Sequence, residues 1–236
     1  MALRILHTND LHGMLTDDLA HRLAPIRQDA DLYFDTGDVV KAGNLAIPLH
    51  PDAAWPHLAE LGCTASVPGN RESQILESAF LKKIEGIRHP LLCANLRRKD
   101  GSLVLSDRLV VDVGGLRVGI FGVMVPIVTS KMATRVASAY LWDPPLPTAA
   151  RVADEMRPEV DVLIALTHIG YRQDVEIARL GVGIDIILGG HSHTLLDEPE
   201  LVGATYICQG GSHGRFAGVY EWSDGKLTGG LQPLKP

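Results

Sequence analysis

The chain has 236 residues, of which 46% are hydrophobic and 21% are charged, and its net charge is −6. This composition is that of a folded globular protein, and it excludes a disordered or collagen-like chain. The acidic balance argues against a nucleic-acid polymer as partner, because proteins that neutralise backbone phosphates usually carry a basic excess.

The three cysteines, Cys63, Cys93 and Cys208, are far apart in sequence and form no C-x-x-C pair. They indicate neither a disulfide framework nor a thiolate zinc site, and they favour a reducing compartment. The N-terminal sequence leads directly into an apolar strand, and no stretch reaches the roughly 18 apolar residues that a membrane span needs. We therefore expect one domain over residues 1–236, a cytoplasmic location and no membrane partner.

Continuous apolar runs predict strands, and several stretches between them predict helices. Continuous rather than alternating apolarity indicates strands that are covered on both faces. Strands that alternate with helices are typical of an α/β protein. In chain order, the strands are predicted at 3–6, 32–34, 90–95, 116–125, 161–166 and 184–188, and the helices at 16–29, 52–61, 71–86, 147–157 and 171–180.

The segment 204–231 has a different pattern. Two apolar stretches, "TYICQ" and "FAGVYEW", flank the glycine-rich "GGSHG". A short glycine-containing connection between two apolar stretches is typical of a β-hairpin. We predict that these two stretches pair with each other as a closing antiparallel hairpin.

Polar side chains follow the predicted strands. Ligands of α/β sheets bind beyond the carboxyl ends of the strands, so these positions are candidates for a site. Any one of them is more often a cap, a turn residue or a satisfied polar group. They recur after four of the predicted strands and after a further apolar stretch, "CTASV" at 63–67, which counts as a fifth strand end. The five motifs "HTNDLHG", "DTGD", "PGNRE", "THIG" and "GGHSH" favour one shared site that contains Asp10, His12, Asp38, Asn70, His168, His191 and His193.

This set of donors predicts a pair of divalent cations. Imidazole, carboxylate and amide oxygen suit Mn, which we expect first, and also Fe, Zn, Co or Ni, while the set holds no thiolate. In Asp-x-His and His-x-His, the two side chains leave an extended backbone on the same side. The glycines before Asp38, Asn70 and His191 let the backbone approach a cation without a Cβ clash.

The ordered motifs "DLH", "GD", "GNRE", "TH" and "GGHSH" resemble those of the calcineurin-like metallophosphoesterase superfamily, and "LHTNDLHG" looks like its 5′-nucleotidase and UDP-sugar hydrolase branch. The resemblance implies a two-sheet β-sandwich flanked by helices, with metals at the C-terminal ends of strands. It implies further that one cation is held by Asp10, His12 and His193, that a second is held by Asn70, His168 and His191, and that Asp38 bridges both.

The superfamily resemblance implies hydrolysis of a small phosphate ester: a nucleotide, a nucleotide-sugar or another phosphomonoester or diester. A water shared by two cations loses a proton near neutral pH and attacks phosphorus in line, while the cations absorb the developing negative charge. No protein nucleophile is required. We expect Asp38 and Arg71 at the reaction centre.

Arg71 stands where most of the superfamily has a histidine that stabilises the transition state or protonates the leaving oxygen. An arginine cannot serve as a general acid at ordinary pH, but its planar guanidinium can bind phosphoryl oxygens. We predict that Arg71 binds the substrate phosphate and favours substrates with good leaving groups. In the alternative, Arg71 turns away and pairs with Glu72 or another nearby carboxylate.

Supporting roles are predicted for residues beside these motifs. His7 precedes the first metal motif and is expected to support the site from behind. His213 and Arg215, in the glycine-rich turn, are candidate substrate contacts, and Glu72 belongs to the same supporting group. The change to Arg71 leaves a second function open, a metal-binding regulatory module of the same fold with little or no catalysis. Hydrolysis of a sulfur or other non-phosphate ester, the exact substrate and the oligomeric state also stay open.

Overall fold

The computed structural model describes residues 2–234 of the chain. Strands and helices alternate along most of this range, as predicted for an α/β protein. The helices are α1 (Asp17–Gln28), α2 (Ala54–Glu60), α3 (Glu77–Lys83), α4 (Pro145–Met156) and α5 (Tyr171–Arg179). The strands are β1 (Leu3–Thr8), β2 (Leu32–Asp35), β3 (Ala65–Ser66), β4 (Leu96–Arg98), β5 (Arg108–Val113), β6 (Leu116–Met124), β7 (Tyr140–Trp142), β8 (Val162–His168), β9 (Ile186–Gly189), β10 (Glu200–Val202), β11 (Thr205–Cys208), β12 (Phe216–Ser223) and β13 (Lys226–Pro233).

Two large mixed sheets and one two-stranded sheet contain these strands. The five-stranded sheet has the order β13-β12-β1-β2-β3, and the six-stranded sheet has the order β10-β11-β9-β8-β6-β5. The parallel strands are β1, β2 and β3 in the first sheet and β6, β8, β9 and β11 in the second. The loops that follow the parallel strands of each sheet therefore lie along one edge of that sheet, at the carboxyl ends of the strands.

The two large sheets pack face to face and are covered by helices on their outer faces. Ile5 and Phe34 of the first sheet share a buried core with Ile164 and Leu188 of the second. A second core lies between the six-stranded sheet and α4 and α5, and a third lies between the five-stranded sheet and α1 and α2. The predicted two-sheet sandwich flanked by helices is confirmed. Coverage on both faces also explains the continuous apolar runs.

None of the helices within residues 2–234 combines the length and the apolarity that a membrane-crossing helix requires.

The predicted closing hairpin is wrong. Residues Thr205–Cys208 form β11 in the six-stranded sheet, whereas Phe216–Ser223 form β12 in the five-stranded sheet, so the glycine-rich segment between them crosses from one sheet to the other. The hairpin instead joins β12 to β13. Its turn holds Asp224 and Gly225, both with positive φ, which is the backbone that a two-residue hairpin turn needs.

The predicted helix 71–86 and strand 90–95 are shorter or displaced. The helix extends only over α3, because the residues before it are bent into a loop in which Ser73 Oγ donates to the Gly69 carbonyl. Residues 90–95 make only isolated β-bridges, and the regular strand begins at Leu96. The other predicted elements agree with the structure to within a few residues at each end.

Candidate metal centre

The seven predicted metal donors lie together, although they come from different sheets. Asp10, His12, Asp38 and Asn70 follow β1, β2 and β3 of the five-stranded sheet. His168 ends β8, and His191 and His193 follow β9 of the six-stranded sheet. The carboxyl ends of the strands thus bring the two halves of the site to the same edge of the sandwich.

One group of donors is formed by Asp10, His12 and His193, whose ligand atoms all lie within 4.8 Å of one another. The Nε2 atoms of His12 and His193 are 2.9 Å apart, and Asp10 Oδ1 lies 3.3 Å from His193 Nε2. Asp10 is fully buried, and its Oδ1 has no hydrogen-bond partner among the described residues. A buried carboxylate oxygen that faces two imidazole nitrogens fits a cation of the Mn, Fe or Zn type.

A second group surrounds Asn70. Asn70 Oδ1 lies 3.2 Å from His168 Nε2 and 2.9 Å from His191 Nδ1. Asp38 Oδ1 is 3.6 Å from His168 Nε2, and the geometry of Asp10, Asp38 and His168 could also hold an ion. Asp38 Oδ2 also lies 3.9 Å from His12 Nδ1, so the Asp38 carboxylate is close to both groups. The assignment of each donor to one of two cations stays a prediction.

The backbone at this site has an uncommon conformation. Among the described residues, seven that are not glycine have positive φ, and five of the seven are predicted metal donors: Asp10, His12, Asp38, His191 and His193, with φ between 51° and 77°. Asp and His tolerate this left-handed region better than branched residues do, but it still costs free energy. Strained backbone of this kind persists only where the surrounding contacts stabilise it, and it is found most often at functional sites.

Gly69 shows why a glycine precedes the donor Asn70. A Cβ atom at position 69 would overlap Asp38 Oδ1 and would lie 2.8 Å from His168 Cε1. Any side chain here would displace a predicted ligand. The expectation that glycine permits a close approach is confirmed at this position.

Burial favours the neutral form of two imidazoles of the site, and the neutral form is the one that binds a cation. Burial, followed by the positive charge of Arg71, lowers the pKa of His12 to about 4. Burial, followed by the neighbouring His168, lowers the pKa of His191. His168 donates from Nδ1 to the Thr36 carbonyl over 2.7 Å, since a carbonyl can only accept. The other ring nitrogen, Nε2, faces the side-chain oxygens of Asn70 and Asp38.

Arg71 borders this centre and does not pair with Glu72. Its backbone N–H donates to Asp38 Oδ1 over 2.7 Å, its Nε lies 4.0 Å from Asp38 Oδ2, and its Nη1 donates to the Lys41 carbonyl over 3.4 Å. Glu72 is buried and accepts three backbone N–H groups, those of Asp38, Val40 and Gly69. The alternative in which these two neighbours pair is wrong, although Arg71 does lie beside the Asp38 carboxylate.

The remaining candidates occupy different places around the centre. His7 lies buried behind it, with Nε2 2.9 Å from Thr36 Oγ1, as the sequence suggested. The exposed His213 ring has its centroid 4.8 Å from that of His12, so it borders the first donor group. Arg215 Nε donates to the Ser212 carbonyl, which braces the crossover turn. Substrate contact by His213 and Arg215 stays a prediction.

Sequence reasoning missed the residues that hold the Asn70 loop. Asn70 Nδ2 donates to Asn44 Oδ1 over 2.9 Å, and this bond turns the amide oxygen of Asn70 toward the histidines. The buried Lys83 Nζ donates to the carbonyls of Gly43, Asn44 and Arg71. No local sequence pattern shows that the side chain of a helical lysine reaches three loop carbonyls. The role of Lys83 therefore could not be predicted from the sequence.

The chain is similar to known phosphoesterases and nucleotidases. A model of the calcineurin-like phosphoesterase family matches residues 3–195, a range that contains all seven predicted metal donors. A trifunctional nucleotide phosphoesterase of Bacillus subtilis (strain 168) is 28% identical over an alignment of length 268, and the match covers 92% of this chain and 18% of that protein. The 5′-nucleotidase of Mus musculus is 30% identical over 234 residues, which cover 82% of this chain and 38% of that protein.

Among solved structures, a 5′-nucleotidase precursor from Thermus thermophilus superimposes with a TM-score of 0.81 at 25% sequence identity, covering 99% of this chain and 54% of that one. The chain thus spans about half of this solved relative and less than two fifths of the two curated relatives.

Proposed function

The chain belongs to the calcineurin-like phosphoesterase family, and we propose that it hydrolyses phosphate esters with the help of two divalent cations. One observation carries the proposal: the buried Asp10 carboxylate belongs to two groups that could hold an ion, one with His12 and His193 and one with Asp38 and His168, and its Oδ1 has no hydrogen-bond partner in residues 2–234. The other oxygen, Oδ2, accepts hydrogen bonds from Asn9 Nδ2 and from the backbone N–H of His191. A buried carboxylate oxygen that stays unpaired is costly, and a bound cation would remove that cost.

The donors that would hold the cations are those the sequence predicted. Asp10, His12 and His193 would hold one, Asn70, His168 and His191 would hold the other, and Asp38 would lie between them. When bound, two such cations supply Lewis-acid stabilisation of the phosphoryl group and an activated water. We expect Mn as the first choice, because the set contains oxygen and imidazole donors without thiolate.

Arg71 is the residue that we assign to the substrate phosphate. Its guanidinium lies at the edge of the donor set, 4.0 Å from Asp38 Oδ2, and part of its side chain is exposed. A guanidinium there can bind a phosphoryl oxygen and stabilise the charge that develops in the transition state. It cannot protonate a leaving oxygen, so substrates with good leaving groups are favoured. Nucleotides belong among the candidates because two of the relatives are named for action on nucleotides.

The test is hydrolysis by the purified, Mn²⁺-loaded protein of aryl phosphate monoesters and diesters beside a panel of nucleotides. The control is Asp38→Asn, which keeps the shape of the side chain and removes its charge. We expect activity in the wild type and its loss in the control. A protein that binds two Mn²⁺ ions and hydrolyses no phosphoester would instead be a metal-binding regulatory module, the second function that Arg71 leaves open.

The role of Arg71 has its own test. Arg71→His restores a side chain that can donate a proton, and Arg71→Gln removes the charge without restoring a proton donor. General acid help is typically worth about 10²–10⁴-fold, so Arg71→His should raise the rate on alkyl phosphates relative to aryl phosphates, while Arg71→Gln should not. Equal ratios in the wild type and Arg71→His would contradict the preference for good leaving groups.

A further inference from the structure

The two halves of the metal centre belong to different sheets, so something must fix the distance between them. We propose that Thr36 and His7 form a positioning network that holds His168 and the end of β9 against the five-stranded sheet, and that this network sets the affinity of the centre for cations. The inference rests on the proposed function. Neither Thr36 nor His7 is a predicted metal donor.

Thr36 contacts both donor-bearing strands of the six-stranded sheet. It follows β2 and is fully buried. Its carbonyl accepts the Nδ1 hydrogen of His168, at the end of β8, over 2.7 Å. Its hydroxyl donates to the carbonyl of Gly189, at the end of β9, over 3.0 Å. One residue of the five-stranded sheet therefore fixes the ends of two strands of the opposite sheet.

His7 fixes the direction of the Thr36 hydroxyl. The hydroxyl has one hydrogen, and the Gly189 carbonyl can only accept, so that hydrogen lies on the Gly189 side. The His7 Nε2, which lies 2.9 Å from Thr36 Oγ1, must then carry a hydrogen and donate it. His7 is neutral as well, because burial lowers the pKa of His7 to about 3. Its one hydrogen on Nε2 leaves Nδ1 bare, and Nδ1 has no hydrogen-bond partner in the described part of the chain.

The hydrogen bond between Thr36 and His168 leaves no space for a side chain at Gly190. A Cβ atom at Gly190 would lie 2.8 Å from the Thr36 carbonyl oxygen and 3.0 Å from His168 Nδ1. Gly190 directly precedes the donor His191. The second glycine of "GGHSH" thus allows the Thr36–His168 hydrogen bond, and it ties the position of His191 to the same contact.

The experiment compares variants that remove the Thr36 hydroxyl with variants that keep it. Thr36→Val removes the hydroxyl at nearly constant shape, and Thr36→Ser is the matched control that retains it. Mn²⁺ binding to the metal-free protein is measured by titration calorimetry. Loss of a residue that orients a metal ligand typically weakens binding by about 10–100-fold, so we expect this loss for Thr36→Val and less than about 3-fold for Thr36→Ser.

The same comparison is made at His7. His7→Leu removes the donor and should weaken Mn²⁺ binding, while His7→Gln places an amide N–H near the Nε2 position and should restore most of it. The double variant His7→Leu/Thr36→Val should bind no more weakly than Thr36→Val alone, because both changes break one network. Additive losses would overturn the coupling between the two residues.

A second readout, which does not need metal, keeps the proposed function and this inference distinguishable. Long-range ¹H–¹⁵N NMR of the metal-free protein should show His7 as the Nε2–H tautomer in the wild type and in Thr36→Ser, and as a mixture in Thr36→Val, which removes the oxygen that accepts the Nε2 hydrogen. If the wild type binds no Mn²⁺, the proposed function fails. The tautomer measured by NMR then tests by itself whether the hydrogen bond between His7 and Thr36 exists. Unchanged Mn²⁺ affinity and an unchanged tautomer in Thr36→Val, with binding abolished in Asp38→Asn, would overturn the network and leave the metal centre standing.

Discussion

Replacement of Glu72 by glutamine tests how the loop that carries Asp38 is held. Glu72 Oε2 accepts the N–H groups of Asp38 and Gly69, each over 2.8 Å, and Oε1 accepts that of Val40 over 3.1 Å. The side chain is 1% exposed. Burial and then the Asp38 charge raise the pKa of Glu72, while the three N–H donors lower it. Because three donors face its two oxygens, the geometry selects the ionised form.

Glu72→Gln keeps the size of the side chain and changes these bonds. An amide has one oxygen, so its NH₂ group must face at least one of the backbone N–H donors. Hydrogen bonds to a charged group contribute about 1.5–3 kcal/mol, and a buried donor left unsatisfied costs about 1–3 kcal/mol. We therefore expect the free energy of unfolding of the metal-free protein to fall by about 2–4 kcal/mol.

Urea denaturation followed by circular dichroism measures this loss. Glu176→Gln is the matched control, because it makes the same change of charge on the exposed surface of α5. A surface substitution of this kind stays within about 0.5 kcal/mol. If Glu72→Gln lost no more than Glu176→Gln, the three hydrogen bonds would not hold the loop in solution and the reasoning would be refuted.

Three further predictions concern pH, the glycine at the sheet junction and metal removal. The pKa of His7 is about 3 in the folded protein and 6.5 in an unfolded chain. Between pH 3 and pH 6.5 the unfolded state therefore binds more protons than the folded state. As the pH falls through this range, the free energy of unfolding decreases by about 1.4 kcal/mol per pH unit. Urea titrations at pH 6.5 and 4.5 should therefore show a loss about 2–3 kcal/mol larger in the wild type than in His7→Gln, and equal losses would exclude a buried neutral imidazole. Gly190→Ala should weaken Mn²⁺ binding in calorimetry by about 10-fold or more, whereas Gly43→Ala, whose Cβ meets nothing within 4 Å, should not; parallel losses would count against a steric cause. Mn²⁺ at about 100 times its Kd should stabilise the protein by about 2.7 kcal/mol, which is about 5–10 °C in Tm, and a chelator should reverse the gain. If the Tm measured by scanning calorimetry changed neither on addition of Mn²⁺ nor on addition of a chelator, the result would contradict a cation site in the folded protein.

Sequence reasoning predicted the fold and the location of the donors because both depend on local patterns. Apolar runs identified β1, β2, β6, β8 and β9, and the polar residues directly after most of these strands identified the centre. Parallel strands force such residues to one edge, so sequence position alone specifies proximity. The buried position of His7 could also be expected, since it precedes the first donor motif on the same strand.

Features that depend on distant contacts could not be predicted. The crossover between β11 and β12 is held by Asn9, whose side chain bonds to the backbone of Gly210 and Gly211, about 200 residues away. The glycine-rich stretch resembles a hairpin turn, whereas the hairpin turn of the structure is at Asp224-Gly225, a dipeptide that is itself a typical turn sequence. The predicted helix 71–86 failed for the same reason, since distant contacts of Arg71 and Glu72 bend its first residues into the site.

The predicted donors extend from Asp10 to His193. The centre therefore cannot form in a nascent chain until His193 has been synthesised. Its two halves meet only after strands far apart in sequence have paired, among them β1 with β12. Such long-range pairing forms late and slowly. Cation loading must therefore follow most of folding, and the ions available where the chain completes its fold decide which metal is first offered to the finished site.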